Sequence, residues 1–318
     1  MGCTKLTLII LLLINVFTLQ AQVIDNTSSF KNTGSKSYFR FHYDNDYFTK
    51  TDEYYTQGIT LEYAAPGIKK FPLSKLLIKP KQKEIIYGIA IDHYGYTPTS
   101  ILSDEILYND RPFCGNISLK TFLTATGNTQ RITVVLNTGI IGPAAGGRQM
   151  QTGIHRWLKN PLPHGWQYQI KNDVIINYQV KYEQQLINGG SAFLLNGMAD
   201  IQAGTHNNKI SSGFNFMAGH FSSPYAKTKS KKVSYYVYAQ PQVSVVGYNA
   251  TLQGGMFNRS SPYTIAAKNI SRVTFQADYG LVLSFRKIYL EYCQSVLTKE
   301  FSTGTLHRWG GVRVGVNL

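Results

Sequence analysis

The sequence predicts an all-β fold, a transmembrane antiparallel β-barrel of about 12 strands with one short helix in an extracellular loop. Three observations predict this fold class. Apolar and polar residues alternate along segments of about ten residues, as in strands with one face in lipid. Tyrosine and glycine are abundant, with 22 Tyr and 28 Gly among 318 residues. Beyond residue 21, no stretch approaches the ~18 uninterrupted apolar residues of a membrane-spanning helix.

The alternation is clear in the segments 38–43, 176–183, 273–285 and 312–318. A water-soluble sandwich would expose the polar face of such strands, whereas a membrane barrel turns it to the lumen. Length favours the barrel, because the run from 273 to 285 exceeds the usual strand of about 5–6 residues. Four charged residues of these segments fall on the polar face: Lys181, Glu183, Asp278 and Arg313.

The same test applied to the whole chain predicts twelve strands, an even number as expected for a single-chain bacterial barrel. The predicted strands cover 37–46, 55–65, 83–95, 115–126, 130–142, 173–188, 192–205, 209–220, 232–247, 271–285, 287–298 and 308–318.

The strand order then predicts which loops share a rim. If both ends of the barrel domain are periplasmic, the loops at 47–54, 96–114 and 143–172 lie on the outer rim. Tight turns fit the other rim. Two connections, 66–82 and 221–231, are long for periplasmic turns, and contact of their basic residues with anionic inner-leaflet lipid is the explanation the sequence offers.

The N-terminus has the pattern of a secretory signal peptide. One positive charge in Met1–Lys5 precedes the apolar run Leu6–Leu19, and Ala21 offers a small residue for cleavage. The run is too short for a comfortable transmembrane helix. We therefore assign 1–21 as a signal peptide and 22–318 as an outer-membrane β-barrel domain.

Two cysteines, Cys114 and Cys293, remain after cleavage. An exported chain could pair them, but they lie far apart in sequence and no cysteine-rich pattern surrounds them. These features favour two buried or free thiols over a disulfide.

The chain is strongly basic, with a formal net charge of +15. Nucleic acid is a common partner for such a protein. The export signal and the scatter of the basic residues argue against it. An anionic partner outside the cytoplasm fits better, and lipid phosphates are the candidate. The alternative is a basic surface that only aids solubility or membrane contact.

One loop concentrates acids in a chain that has only 17 Asp and Glu. Asn45 and Asp46 end the first predicted strand, acids follow at 52 and 53, and Thr56 opens the second strand. Carboxylates and an amide at a strand end, with a hydroxyl nearby, could form a calcium and oxyanion site. A hydrated Asp/Asn turn is the alternative.

One helix is predicted over Arg148–Leu158, after two glycines and before two prolines. Gln151 and His155 are four residues apart and share a face. An unperturbed histidine titrates near neutral pH, which suits a general base, although a lone helical histidine is more often structural. The apolar side of the helix could rest on the barrel mouth.

Together these motifs resemble the LpxR-type lipid A 3′-O-deacylases of Gram-negative outer membranes. Short motifs such as Asn-Asp are unspecific singly, but four blocks in the right order are specific. The blocks are Asn45-Asp46 with Tyr55-Thr56-Gln57-Gly58, then Tyr96-Thr97-Pro98, then Asp110-Arg111-Pro112, and last Gly142–Gly147 continuing to Gln151, His155-Arg156 and Gly165–Gln169. A weaker match to the family, the echo motif, lies beyond these blocks at Asn249–Gly254.

The resemblance implies an outer-membrane ester hydrolase that removes a 3′-O-linked acyl or acyloxyacyl chain from lipid A of lipopolysaccharide. It implies that His155 activates water or a hydroxyl and that Asp46 holds Ca²⁺. It also matches Thr56 to a functional hydroxyl, either orienting or nucleophilic. Asn45 could donate to the developing oxyanion. We expect a monomer in the outer membrane, with lipid A as partner and no nucleic acid.

Four basic residues near the predicted outer rim could grip the phosphates of lipid A: Lys50, Arg111, Arg148 and Arg156. Arginine suits this role because its guanidinium binds phosphate through two hydrogen bonds. Simple solvation of a basic surface is the alternative.

The chain departs from the family pattern at one point. The family usually carries a Glu shortly after the histidine, and residues 159–164 contain no acid. Asp44, Asp52 or Asp173 could substitute. An inactive or altered relative, acting as a channel or structural barrel, is therefore one alternative. An outer-membrane phospholipase A is another, although no Ser/His/Asn arrangement resembles its motif.

Overall fold

Twelve antiparallel strands close into a barrel in the computed structural model, which describes residues 26–49, 54–82, 84–226 and 233–318. Each strand pairs with its sequence neighbours, and β1 closes the barrel on β12. The strands are β1 (Tyr38–Asn45), β2 (Tyr54–Ala64), β3 (Glu84–Thr97), β4 (Cys114–Thr126), β5 (Gln130–Ile141), β6 (Asp173–Asn188), β7 (Phe193–Gly204), β8 (Asn207–His220), β9 (Val233–Asn249), β10 (Val273–Phe285), β11 (Ile288–Leu297) and β12 (His307–Asn317).

The helical elements lie between the strands. Helix α1 (Gly147–Leu158) is the predicted helix, begun one residue earlier, and α2 (Ala250–Gln253) is a single turn. The 3₁₀ turns are Ser29–Lys31, Asp46–Thr49, Pro66–Lys70, Pro72–Leu76, Pro143–Ala145, Trp166–Tyr168 and Ala267–Asn269. Within the described ranges, no helix is both long and apolar enough to cross a membrane. The predicted signal peptide lies outside the described residues.

The strand predictions are confirmed, and no boundary moves by more than two residues. The reason is local, because a strand places successive side chains on opposite faces and only one face can meet lipid. The polar face lines the lumen as predicted, and all four charged residues named above are buried there. The outward face carries exposed apolar side chains such as Phe41 and Leu281.

The charges of the lumen are stabilised by partners from neighbouring strands. Arg40 Nη2 lies 2.6 Å from Glu62 Oε1, and Arg313 Nη2 lies 3.1 Å from Asp44 Oδ1. Removing one partner of such a pair would leave a buried charge uncompensated, so these pairs hold their strands together. The thiols of Cys114 and Cys293 are both buried and free, as predicted.

The segment before β1 crosses the lumen. Ser29 Oγ donates to Glu183 Oε1 on β6 at 2.9 Å, and Lys31 Nζ lies 3.3 Å from Glu291 Oε1 on β11. Between them, the Phe30 ring stacks on Tyr238 of β9, with ring centroids 4.1 Å apart. The interior of the barrel is therefore bridged from wall to wall by its own chain.

Long connections gather at one rim and most short turns at the other. In bacterial barrels the long loops are extracellular. Two of the long outer connections, 98–113 and 142–172, pack on each other. The centroids of the Phe113 and Trp166 rings lie 5.0 Å apart, and His164 N donates to Ile101 O at 2.6 Å. These contacts fix the segment that carries α1 over the barrel wall.

Candidate active site

A β-bulge turns Thr56 to the outside of the barrel. The pairing of β2 with β3 shifts between Tyr55 and Gln57, which leaves Thr56 as the extra residue. Its Cγ2 atom lies beside Gly95, because a Cβ built there would be 3.1 Å away. Since the neighbouring Tyr94 packs inside the barrel, Gly95 faces outward. Bulges re-aim side chains in this way beside functional sites.

Asn45 at the end of β1 also faces outward, since its neighbour Asp44 pairs with an arginine in the lumen. Its Nδ2 donates to the main-chain oxygen of Thr56 at 2.8 Å and lies 3.2 Å from the Tyr43 hydroxyl. Its Oδ1 accepts from Tyr47 N at 2.7 Å. The amide is thus fixed beside the bulge before any substrate arrives.

Asp46 begins the 3₁₀ turn that follows β1, and it is 2% exposed. The turn is tied to the barrel by Thr49, whose hydroxyl contacts Asp46 O at 2.8 Å and Arg308 O at 2.9 Å. Carboxylate oxygen suits calcium. Among the described residues, no three His, Cys, Asp or Glu side chains form a metal-binding group. Within the described ranges, a calcium ion held by Asp46 would therefore be bound by fewer than three such side chains, with carbonyl and water oxygens as further ligands.

Helix α1 lies against the outer wall over β3 and β4. Gly115 of β4 permits the approach, because a Cβ there would be 3.1 Å from Gly147 N. The ring of His93, on the outward face of β3, lies 2.7 Å from Ala145 O just before the helix. The start of α1 is therefore held directly on the two strands.

Gln151 connects the helix to the bulge. Its buried Nε2 donates to Thr56 Oγ1 at 3.1 Å, and its Oε1 accepts from Trp166 Nε1 at 2.7 Å. Together with the bond from Asn45 to Thr56, this makes one hydrogen-bonded connection from β1 through β2 to α1. The sequence singled out Gln151 only by its position in the matched motif and its spacing from His155.

His155 lies one helical turn after Gln151 on the same face of α1. Its Nδ1 is 2.6 Å from the main-chain oxygen of Pro161. A carbonyl oxygen can only accept, so Nδ1 carries the hydrogen and donates it. The other ring nitrogen, Nε2, is then the basic one, which is the tautomer that a general base requires.

Two of the three acids considered as substitutes for the missing Glu, Asp44 and Asp173, have other partners in the structure. Asp44 is paired in the lumen with Arg313, and Asp173 accepts hydrogen bonds from the main-chain N–H groups of Val174, Phe257 and Asn258. Asp52 lies outside the described residues. The described partner of His155 Nδ1 is a carbonyl, which no side-chain pattern could have predicted.

The four basic residues separate into different environments. Arg111 is 1% exposed, forms a buried ion pair with Glu300, and donates to Thr251 Oγ1 at 2.7 Å. It joins its own outer connection to two others inside the barrel mouth and does not reach the outer wall. Arg148 and Arg156 are exposed on α1, and Lys50 lies outside the described residues.

The echo motif also has a structural role at this point. Asn249 caps α2 by accepting from Thr251 N at 3.0 Å, and its Nδ2 donates to Glu300 Oε1 at 3.2 Å. The motif therefore holds the ion pair of Arg111. Sequence reasoning missed Glu300, which lies far from Arg111 along the chain.

The profile of the family described as outer membrane protein LpxR matches residues 6–318. The chain belongs to the LpxR outer membrane protein family. Its structure is similar to LpxR from Salmonella typhimurium, with a TM-score of 0.74, 18% sequence identity, and coverage of 89% of this chain and 100% of that chain.

More distant outer-membrane barrels are also similar. The β domain of the Bordetella autotransporter BrkA has a TM-score of 0.45 at 6% identity, covering 89% of this chain and 98% of that chain. The NanC porin has a TM-score of 0.40 at 6% identity, with the same coverage. No curated protein sequence matches the chain.

Membership of the LpxR family confirms the resemblance inferred from the motifs and locates the chain in the outer membrane. It also supports an outer-membrane lipid A deacylase. In that membrane the outward face of the wall meets lipid, and the outer rim belongs to the outer leaflet. Asn45, Thr56 and α1 therefore lie where a lipid of the outer leaflet would contact an LpxR-family barrel.

Proposed function

We propose that this LpxR-family chain is an outer-membrane hydrolase that removes a 3′-O-linked acyl or acyloxyacyl chain from lipid A. The observation that carries the proposal is the connection Asn45–Thr56–Gln151 on the outside of the wall. It brings the Asn45 amide, the Thr56 hydroxyl and the helix of His155 together on the lipid-facing side of the barrel wall. Substrate would reach such a site laterally, without entering the lumen.

His155 is the general base of the proposed reaction. Its Nε2 takes a proton from water while the water oxygen attacks the ester carbonyl carbon. The tetrahedral intermediate then collapses, and the sugar oxygen leaves with the proton that His155 returns. The products are a free carboxylic acid and a sugar hydroxyl. The bond from Nδ1 to Pro161 O orients the ring throughout and is the counterpart of the missing carboxylate.

Asn45 and Thr56 act on the substrate. Asn45 can donate to the oxyanion by exchanging its longer bond, the 3.2 Å contact with Tyr43. Thr56 Oγ1 accepts from Gln151, so its own hydrogen is available to orient the attacking water or the ester. This arrangement favours the orienting role of Thr56 over the nucleophilic one.

Asp46 would hold Ca²⁺, with carbonyl and water oxygens as the further ligands. When bound, the ion would supply positive charge that polarises the ester carbonyl and favours the oxyanion. Burial of Asp46 at a strand end supports this assignment, since a desolvated carboxylate binds a cation more strongly.

Lipid A would be held from the exposed side of α1. Arg148 and Arg156 would bind its phosphates, and Lys50 remains a candidate. Trp157, which is 82% exposed, would lie among the acyl chains. All of these groups belong to one chain, so the proposed site is complete in a monomer.

The filled lumen argues against the alternative of a channel, because the segment around Phe30 crosses it. An outer-membrane phospholipase A is disfavoured by the family. The test is lipid A mass spectrometry after expression in a Gram-negative host, with planar-bilayer conductance measured in parallel. We expect loss of one acyl or acyloxyacyl unit with the native chain and none with His155→Ala. Unchanged lipid A beside a folded native barrel, or an open conductance, would refute the proposal.

A further inference from the structure

The connection between β2 and β3, Pro66–Gln82, is a strongly basic segment, and we name it the basic strap. It contains two consecutive 3₁₀ turns and no Asp or Glu. Its five lysines are all exposed: Lys69, Lys70, Lys75, Lys79 and Lys81. A run of like charge with no internal compensation needs an anionic partner or open water.

The strap lies on the outside of the barrel. Leu77 is buried in a cluster with Leu123 of β4 and Leu136 of β5, both on the outward face of the wall. Farther along, Ile78 N donates to the hydroxyl of Tyr178 on β6 at 2.7 Å. The strap therefore crosses the outer surface of β3, β4 and β5 instead of extending away from the rim.

The side of the strap that faces away from the wall is both apolar and basic. Leu76 and Ile78 are 62% and 66% exposed, and Lys75 and Lys79 flank them. Such a pattern is typical of segments that lie in a membrane interface, with apolar side chains among acyl chains and lysine amines reaching the head groups.

The strap joins strand ends at the rim of short turns, the periplasmic rim. Its neighbours in the membrane are therefore lipids of the periplasm-facing leaflet, on the opposite side from the proposed active site. We propose that the strap binds the head groups of acidic glycerophospholipids in that leaflet. Charge complementarity selects acidic over zwitterionic head groups, and the exposed Leu76 and Ile78 select a lipid over a soluble anion. The inference does not depend on the hydrolase activity.

The test uses the full chain in vesicles of phosphatidylcholine and phosphatidylglycerol, with Leu76→Trp as a fluorescent reporter. One lipid at a time is replaced by its brominated form, which quenches the fluorescence of tryptophans that it contacts. The native chain has 3 tryptophans, so the quenching measured with the native chain is subtracted from that of the Leu76→Trp variant. We expect phosphatidylglycerol to be enriched over phosphatidylcholine next to the reporter by about fivefold or more. About fivefold is the enrichment that one lysine near an anionic surface provides. Added salt should weaken the preference.

The matched variants change two charges each. Lys75→Gln with Lys79→Gln should reduce the preference several-fold, whereas Lys268→Gln with Lys299→Gln, on outer connections, should leave it unchanged. A reporter placed at Leu186, an exposed position near the periplasmic end of β6, should show no preference. Equal quenching by both lipids, or a preference that survives the strap substitutions, would overturn the inference. So would a reporter shielded from both lipids by a second copy of the chain.

Discussion

His155 donates its Nδ1 hydrogen to the main-chain carbonyl of Pro161, 2.6 Å away, six residues later in the same chain. The contact fixes the tautomer and the ring plane together. A carboxylate could do the same and would add a negative charge. Among the described residues, the group that orients the His155 ring at Nδ1 is a neutral carbonyl.

Pro161→Gly should therefore lower kcat while KM stays near its native value. Glycine keeps the carbonyl but loosens the backbone that presents it, so the ring is less often oriented for proton transfer. The decrease in kcat could reach about 10²-fold, which is the effect of displacing a reacting group by about 1 Å. Steady-state kinetics on lipid A in micelles measures it. Pro163→Gly, two residues on, is the matched control and should be near native. A fully active Pro161→Gly would contradict the positioning role.

Gln151→Leu should destabilise the barrel and reduce activity together. It leaves the buried Trp166 Nε1 without its acceptor, which costs about 1–3 kcal/mol in the free energy of unfolding. Trp166→Phe removes that donor, so the double variant should be less destabilised than the sum of the two single variants. Denaturant titration of the four proteins measures this coupling. Additive losses would mean that the two side chains do not act as a pair.

Thr56→Val should lower activity by about 10²-fold, the cost of removing one oriented hydroxyl or amide at a reaction centre. The shape of the side chain is kept, so folding should be little affected apart from the bond that Gln151 loses. Thr56→Ser keeps the hydroxyl and should retain most activity. Equal activity in the valine and serine variants would exclude a role for the hydroxyl.

Removal of calcium should abolish activity, and added calcium should restore it. Asp46→Asn should raise the calcium concentration for half-maximal activity by roughly 10- to 100-fold, the range seen when even outer contacts of a metal site are lost. The exposed Asp104, which pairs with His164, provides the control, and Asp104→Asn should respond to calcium like the native chain. Full activity in excess chelator would show that Asp46 has another function.

The strands could be predicted from the sequence because their signal is local. Alternation along Val273–Phe285 depends only on which face meets lipid, and this face is the same for every strand. The helix followed from its flanking glycines and prolines. The order of the strands then placed the matched motifs on one rim.

The side-chain environments at that rim could not be predicted, because they depend on distant partners. Arg111 belongs to a buried ion pair with Glu300, from a connection far along the chain. The outward turn of Thr56 comes from a single extra residue in one strand pair, and the partner of His155 is a main-chain atom. None of these has a period or a composition that a sequence displays.

We propose that His155 directs water to an ester of lipid A. The most direct measurement is mass spectrometry of the products when purified protein acts on lipid A in ¹⁸O-labelled water with calcium present. We predict that the native chain releases an acyl or acyloxyacyl group with one ¹⁸O in its new carboxyl group, and that His155→Ala releases none. Equal release by both proteins, or no release by a folded native barrel, would contradict the account.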